Sequence, residues 1–172
     1  MLKLTERLGP IEASQADDTL TLPYELRIRG RLKAESDSGR ELGLFLDRGP
    51  VLRDGEGLRA ETGEVVRLQA AVEPVVTARV AAGLPLARLA YHLGNRHVQL
   101  ALGEDEEGSY VRFPPDHVLE ELATLLGAAL VHHEAPFDPE SGAYHQPGHG
   151  HSHAHDHDHS HGHHHHEHSH AH

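Results

Sequence analysis

The chain has 172 residues, 27 acidic against 15 basic side chains, a formal net charge of −12 and no cysteine. That length fits one medium domain or two small ones. The acidic balance argues against non-specific nucleic-acid binding and against anionic membrane surfaces. The lack of cysteine excludes disulfides, Cys-based zinc fingers, iron–sulfur clusters and thiol nucleophiles.

The N-terminus carries Lys3, Glu6, Arg7 and Glu12 and has no apolar h-region, so it does not read as a signal peptide. The longest apolar stretch, Leu125–Val131, is interrupted by Gly127 and far too short to span a membrane. No membrane association and a cytoplasmic location are expected. Residues 1–73 read as β. Leu26-Arg27-Ile28-Arg29 alternates apolar and polar and predicts a strand, continued by Leu32 after Gly30. Ser36–Gly39 supplies a turn and Glu41–Leu46 the return strand. Turn signals recur at Asp47–Pro50, Asp54–Gly57 and Glu61–Gly63, with short apolar stretches at Val51-Leu52 and Val65–Leu68 between them. This spacing predicts a compact, mostly antiparallel module.

The pattern changes after Glu73-Pro74. Val75–Val80 is β-branched and reads as a strand. Gly83-Leu84-Pro85 opens a helix with Leu86, Leu89, Ala90 and Leu93 at helical spacing, and Gly94 is placed to end it. His97–Leu102 predicts a second strand, the acidic run Glu104–Gly108 a hairpin tip, and Ser109–Phe113 a third strand. Pro114-Pro115-Asp116 starts a second helix, with an expected buried stripe of Val118, Leu119, Leu122, Leu125 and Leu126. Ala129–Glu134 is the last strand. The order βαββαβ predicts a ferredoxin-like domain over 74–144. The fold class is therefore α+β: a β-rich N-terminal domain (1–73), a ferredoxin-like domain (74–144) and a tail (145–172). Units of about 70 residues are marginal alone, so a homodimer is expected.

The tail is the most informative segment. His149, His151, His153, His155, His157, His159, His161 and His163 alternate with Gly, Ser, Ala or Asp. His164, His165, His166, His168, His170 and His172 follow, and His145 precedes the run. A segment with so little apolar surface cannot offset its ordering entropy and is expected to be disordered. What it presents is a dense array of imidazoles, the commonest nitrogen ligands for transition metals. The longest uninterrupted block is four, unlike an engineered tag, and solubilising tails are normally built from Glu, Lys or Ser. Nitrogen and oxygen donors without thiolate suit Ni(II), Cu(II) or Zn(II).

Five further histidines lie before the tail and its approach. His92, between Leu89 and Leu93, reads as a partly buried packing residue. His132 and His133 point to opposite faces of a strand and cannot chelate through a shared face. His117 follows Asp116 at a helix start, where either is a candidate ligand and Asp116 also suits the helix terminus. His97 sits in a tight connection after Gly94-Asn95-Arg96, held by rigid neighbours yet accessible. On spacing alone it reads equally as a ligand or a structural histidine, and a two-fold axis nearby would supply a second copy. The chain has no Gly-x-Ser-x-Gly elbow and no phosphate loop. Glu104–Glu107 reads as a solvated turn, so no enzyme activity is expected.

Leu89-Ala90-Tyr91-His92-Leu93-Gly94-Asn95-Arg96-His97, Asp116-His117-Val118-Leu119 and Pro136-Phe137-Asp138-Pro139-Glu140-Ser141-Gly142-Ala143-Tyr144, with the histidine tail, resemble the UreE family of urease accessory proteins. Leu42–Gly57 also looks like that family, and the resemblance covers the whole chain. It implies a cytoplasmic nickel metallochaperone that helps assemble the urease metallocentre. It also implies a homodimer in which His97 binds metal beside its symmetry mate, with the urease accessory GTPase and, through it, the urease apoprotein complex as partners. Some relatives carry further histidines where this chain has Phe113-Pro114-Pro115, so only His117 is a possible match to their peripheral ligands. Ligands completing the His97 site would then come from the tail. Two other functions fit the residues: transition-metal storage or detoxification without a specific recipient, and a client-binding module built on the β domain.

Overall fold

The computed structural model describes residues 1–141. It is a strand-rich α+β structure of two sheets, each with its own apolar core. The expected disorder of 145–172 lies outside the described residues.

The first sheet contains β1 (Leu2–Pro10), β2 (Asp18–Leu22), β3 (Arg31–Glu35), β4 (Glu41–Phe45), β5 (Glu56–Ala60) and β6 (Val65–Ala70), in the order β2-β6-β5-β1-β4-β3. Period-two alternation determines the core face: in β6, Val66, Leu68 and Ala70 are buried while Gln69 is exposed. Leu4, Leu20, Leu42, Leu44, Leu58 and Leu68 fill the centre. Three strand pairings are antiparallel, whereas β1 runs parallel to β4 and β2 parallel to β6. The hairpin at Ser36–Gly39 forms as its turn residues predict, closed by Ser36 N donating to Arg40 O at 2.9 Å.

The predicted strand over Leu26–Arg29 is not one. Tyr24–Arg27 forms a single helical turn, α1, after Pro23. Four alternating residues also satisfy one helical turn, and Arg27 is drawn inward by acceptors distant in sequence. The strand begins at Arg31 instead. Gly30 allows the crossing there, since a Cβ at that position would lie 3.0 Å from Leu46 O.

The second sheet contains β7 (Val72–Arg79), β8 (Ala101–Asp105), β9 (Gly108–Phe113) and β10 (Ala129–Pro136), all antiparallel in the order β10-β7-β9-β8. Helices α2 (Leu84–Gly94) and α3 (His117–Leu125) pack on one face through Leu89, Leu93, Leu119 and Ala123 against Val76, Ala78, Val111 and Phe113. The expected α3 stripe is rotated. Val118 is 41% and Leu125 78% exposed, and Ala123 takes the buried position, because Leu119, Leu122, Ala123 and Leu126 form the i, i+3, i+4, i+7 face. Residues 97–100 are not strand either; β8 starts at Ala101, after a turn at the end of α2.

Residues 137–140 join the two halves. Phe137 is fully buried against Val75, Ala101 and Tyr24, with its ring edge-on to Tyr24 at 5.3 Å. The buried Arg27 donates to Leu52 O at 3.1 Å, to Asp138 Oδ1 at 3.0 Å and to Phe137 O. Arg53 donates to Pro139 O, and Glu140 N donates to Leu100 O at 2.8 Å. Replacing Asp138 by Ala leaves the Arg27 charge with carbonyl partners alone. The unfolding free energy should drop by about 3 kcal/mol, the lower end for a broken buried pair, because Asp138 retains 28% exposure. The expected readout is a lower urea midpoint at unchanged slope; an unmoved midpoint would show that the pair adds no stability.

Candidate metal centre

Helix α2 begins after Gly83, whose φ of +87° suits a glycine, and carries Pro85 in its first turn. It runs through Gly94, and Asn95 rather than Gly94 terminates it. The chain then tightens: Asn95 N donates to Tyr91 O, Arg96 N to Leu93 O and His97 N to Gly94 O, the last at 3.0 Å. His97 has a φ of +56° and is the only non-glycine at positive φ among the described residues. This left-handed conformation costs an L-residue on the order of 1–2 kcal/mol. The side chain is exposed, so apolar burial does not compensate. An exposed imidazole held in a costly backbone conformation is what a presented ligand needs.

The other predicted residues are dispersed. His117 is exposed on the first turn of α3, and Asp116 beside it is occupied as a cap: its Oδ1 accepts from Val118 N at 2.9 Å and from Leu119 N at 3.1 Å. Such a cap is worth about 1 kcal/mol. His132 and His133 do occupy opposite faces. His132 Nε2 meets Glu120 Oε1 of α3, and His133 Nε2 lies 2.6 Å from Thr77 Oγ1 on the other side of the sheet. His92 is exposed beside the Tyr91 ring, not packed between Leu89 and Leu93 as expected, because those two leucines face inward and His92 faces away. Among the described residues no three His, Asp or Glu side chains converge on a metal-sized site. His145 and the run His149–His172 lie outside them. No helix among those residues is long and apolar enough to cross a membrane.

The sequence reading missed Arg27, taken as an outward residue of a strand. Its signal was indirect: Asp138 and Phe137, its partners, lie in the Pro136–Tyr144 motif.

Comparison with known proteins decides the family. Residues 4–71 match the family model described as UreE urease accessory protein, N-terminal domain, and residues 73–172 match its C-terminal domain. The chain belongs to the UreE urease accessory protein family. UreE of Marinobacter nauticus is 64% identical over 154 residues, covering 86% of this chain and 85% of that one. UreE of Pseudoalteromonas translucida is 66% identical over 149 residues, covering 86% and 88%. UreE of Alkalilimnicola ehrlichii is 51% identical over 144 residues, covering 84% and 85%. The C-terminal UreE match takes in His97, His117 and the histidine run.

The strain at His97 gives a direct test. Substituting His97→Gly should raise the unfolding free energy by about 1 kcal/mol, measured as a higher urea midpoint, while removing the imidazole. A lower midpoint would mean that the side chain makes a stabilising contact and is not held for presentation.

Proposed function

We propose that this chain is a nickel metallochaperone that captures Ni(II) and delivers it for assembly of the urease metallocentre. The observation that carries the reading is a single juxtaposition: a urease accessory protein in which one histidine is exposed at a strained turn and fifteen more follow in the tail. Residues 1–73 form the β-rich N-terminal domain and 74–144 a ferredoxin-like metal-binding domain. The order βαββαβ and the β10-β7-β9-β8 pairing support the latter. The active form is a homodimer, in which the two-fold axis brings His97 beside its mate. Two imidazoles are an incomplete set for Ni(II), and His145 or the tail histidines complete it; His117 is a peripheral ligand. Cu(II) and Zn(II) bind the same donors in vitro. The recipient is the urease accessory GTPase and, through it, the urease apoprotein complex, in the cytoplasm.

Calorimetric titration with Ni(II) tests the division of labour. The full chain should bind several ions per dimer, at roughly three or four imidazoles each, and a chain ending at Tyr144 should keep about one. His97→Ala in the shortened chain should abolish that last site with the dimer intact. Parent affinity in that variant, or equal stoichiometry in the two lengths, would overturn the assignment. Metal-dependent association with the accessory GTPase separates delivery from storage, which needs no recipient.

Capture should be steeply pH-dependent while folding is not. Free imidazole titrates near ~6.5, so the neutral fraction of a tail histidine falls about tenfold between pH 7.5 and 5.5. A three-imidazole site weakens about a thousandfold over that span. The body responds elsewhere. Hydrogen bonding from Arg79 holds the Asp105 carboxyl below its ordinary value, and Arg40 does the same for Glu64. Their stabilisation is present above the ordinary carboxylate range, about pH 4, and is lost only as pH falls through the lowered values. Ni(II) titrations at pH 7.5 and 5.5, with circular dichroism alongside, should show weakened binding to an unchanged fold. Equal affinity at both would mean that carboxylates, not imidazoles, are the ligands.

A further inference from the structure

The nickel reading leaves a well-formed cavity of the described residues unused. It measures about 520 Å³ and lies on the first sheet's side of the molecule, between the end of α1 and the segment after β4. Five arginines line it, Arg7, Arg27, Arg29, Arg31 and Arg48, against a single acidic residue, Asp47. In a chain of net charge −12 this holds a third of the 15 basic side chains in one concavity.

Two of the five are neutralised from behind. Arg7 is bidentate to Glu56, at 2.6 and 2.9 Å, and Arg27 bonds Asp138. Arg29, Arg31 and Arg48 are exposed and form no ion pair among the described residues. Like charges gathered without counter-charges repel, and a bound anion relieves that cost. Arg27 adds a second observation: it is 1% exposed, and its Nε is a buried donor without a hydrogen-bond partner among the described residues. Arg27 therefore sets a fixed positive charge in the cavity wall, held there by two carbonyls and one carboxylate. The walls are also held close. A Cβ on Gly49 would lie 2.9 Å from Arg7 Nη1, and one on Gly30 3.0 Å from Leu46 O.

We propose that this cavity binds a small multivalent oxyanion, a di- or triphosphate or a polycarboxylate, through the guanidinium forks of Arg29, Arg31 and Arg48. Guanidinium matches carboxylate and phosphate geometry bidentately. The volume falls within the range of small-molecule sites, about 300–1,000 Å³. Ile28, at 55% exposure, and Pro50 are the exposed apolar lining residues, too little for the apolar centre of a protein interface. The site is independent of nickel and lies apart in sequence from His97.

The test uses metal-free full-length protein at pH 8, where tail imidazoles are neutral and offer no competing cations. Inorganic pyrophosphate and citrate are titrated separately by calorimetry. Saturable binding of one anion per chain, weakening with added salt, is the expected result, and the tighter of the two identifies a phosphate or a carboxylate source. The combined Arg29→Gln, Arg31→Gln, Arg48→Gln variant should bind at least 100-fold more weakly with a urea midpoint no lower than the parent's, at roughly tenfold for each charge-assisted contact. The corresponding Lys variant keeps the charge and loses the fork, and should fall between. No saturable binding of either anion overturns the proposal. So does parent affinity in the Gln variant, or binding of a glutamate-rich peptide alone.

Discussion

The buried guanidinium of Arg27 is the constraint on which the two halves of the molecule depend. It sits on a single helical turn, is 1% exposed, and spends its donors on Leu52 from its own half and on Phe137 and Asp138, more than a hundred residues away. A charge removed from water to that degree is costly, by several kcal/mol before its partners are counted. It persists because three acceptors surround it and because the Tyr24–Phe137 edge contact excludes water beside it. Neither sheet contains both sides of this arrangement. The polar clasp therefore specifies one docked geometry, whereas apolar contact alone would tolerate sliding.

The same logic separates what was legible in the sequence from what was not. Regular periodicity was readable wherever burial acts on one local face: α2, β6, β7 and β9 follow their apolar spacing closely. The Leu26–Arg29 alternation misled because four residues cannot distinguish a strand from one helical turn, and the deciding partner of Arg27 is non-local. The α3 stripe was displaced because Val118 and Leu125 are apolar yet face solvent, a frequent circumstance at protein surfaces. Strands β1 and β2 carried too few apolar residues in register to be assigned, and β1 is further disturbed by two register shifts.

For the candidate metal centre, the exposure of His97 was legible from its place in a tight connection, a local property, while the tail histidines lie outside the described residues. The left-handed backbone at His97 was not legible, because the preceding Gly94 is the residue that ordinarily takes that conformation. The arginine cavity was wholly hidden. Its residues are spread from Arg7 to Arg48 in a chain whose overall charge has the opposite sign, and only folding gathers them.

The hydrogen bond from Glu140 N to Leu100 O has a geometric consequence for everything beyond it. It anchors the departing chain three residues from His97. Five peptide units separate Glu140 from His145, so covalent length alone keeps the His145 Cα within about 18 Å of the Glu140 Cα, and that of His149 within about 32 Å. If the tail histidines complete the His97 site as proposed, a tether of that length gives an effective concentration on the order of millimolar. On that proposal the anchor acts as a leash: its length sets how often, rather than how strongly, the two ends of the chemistry would meet.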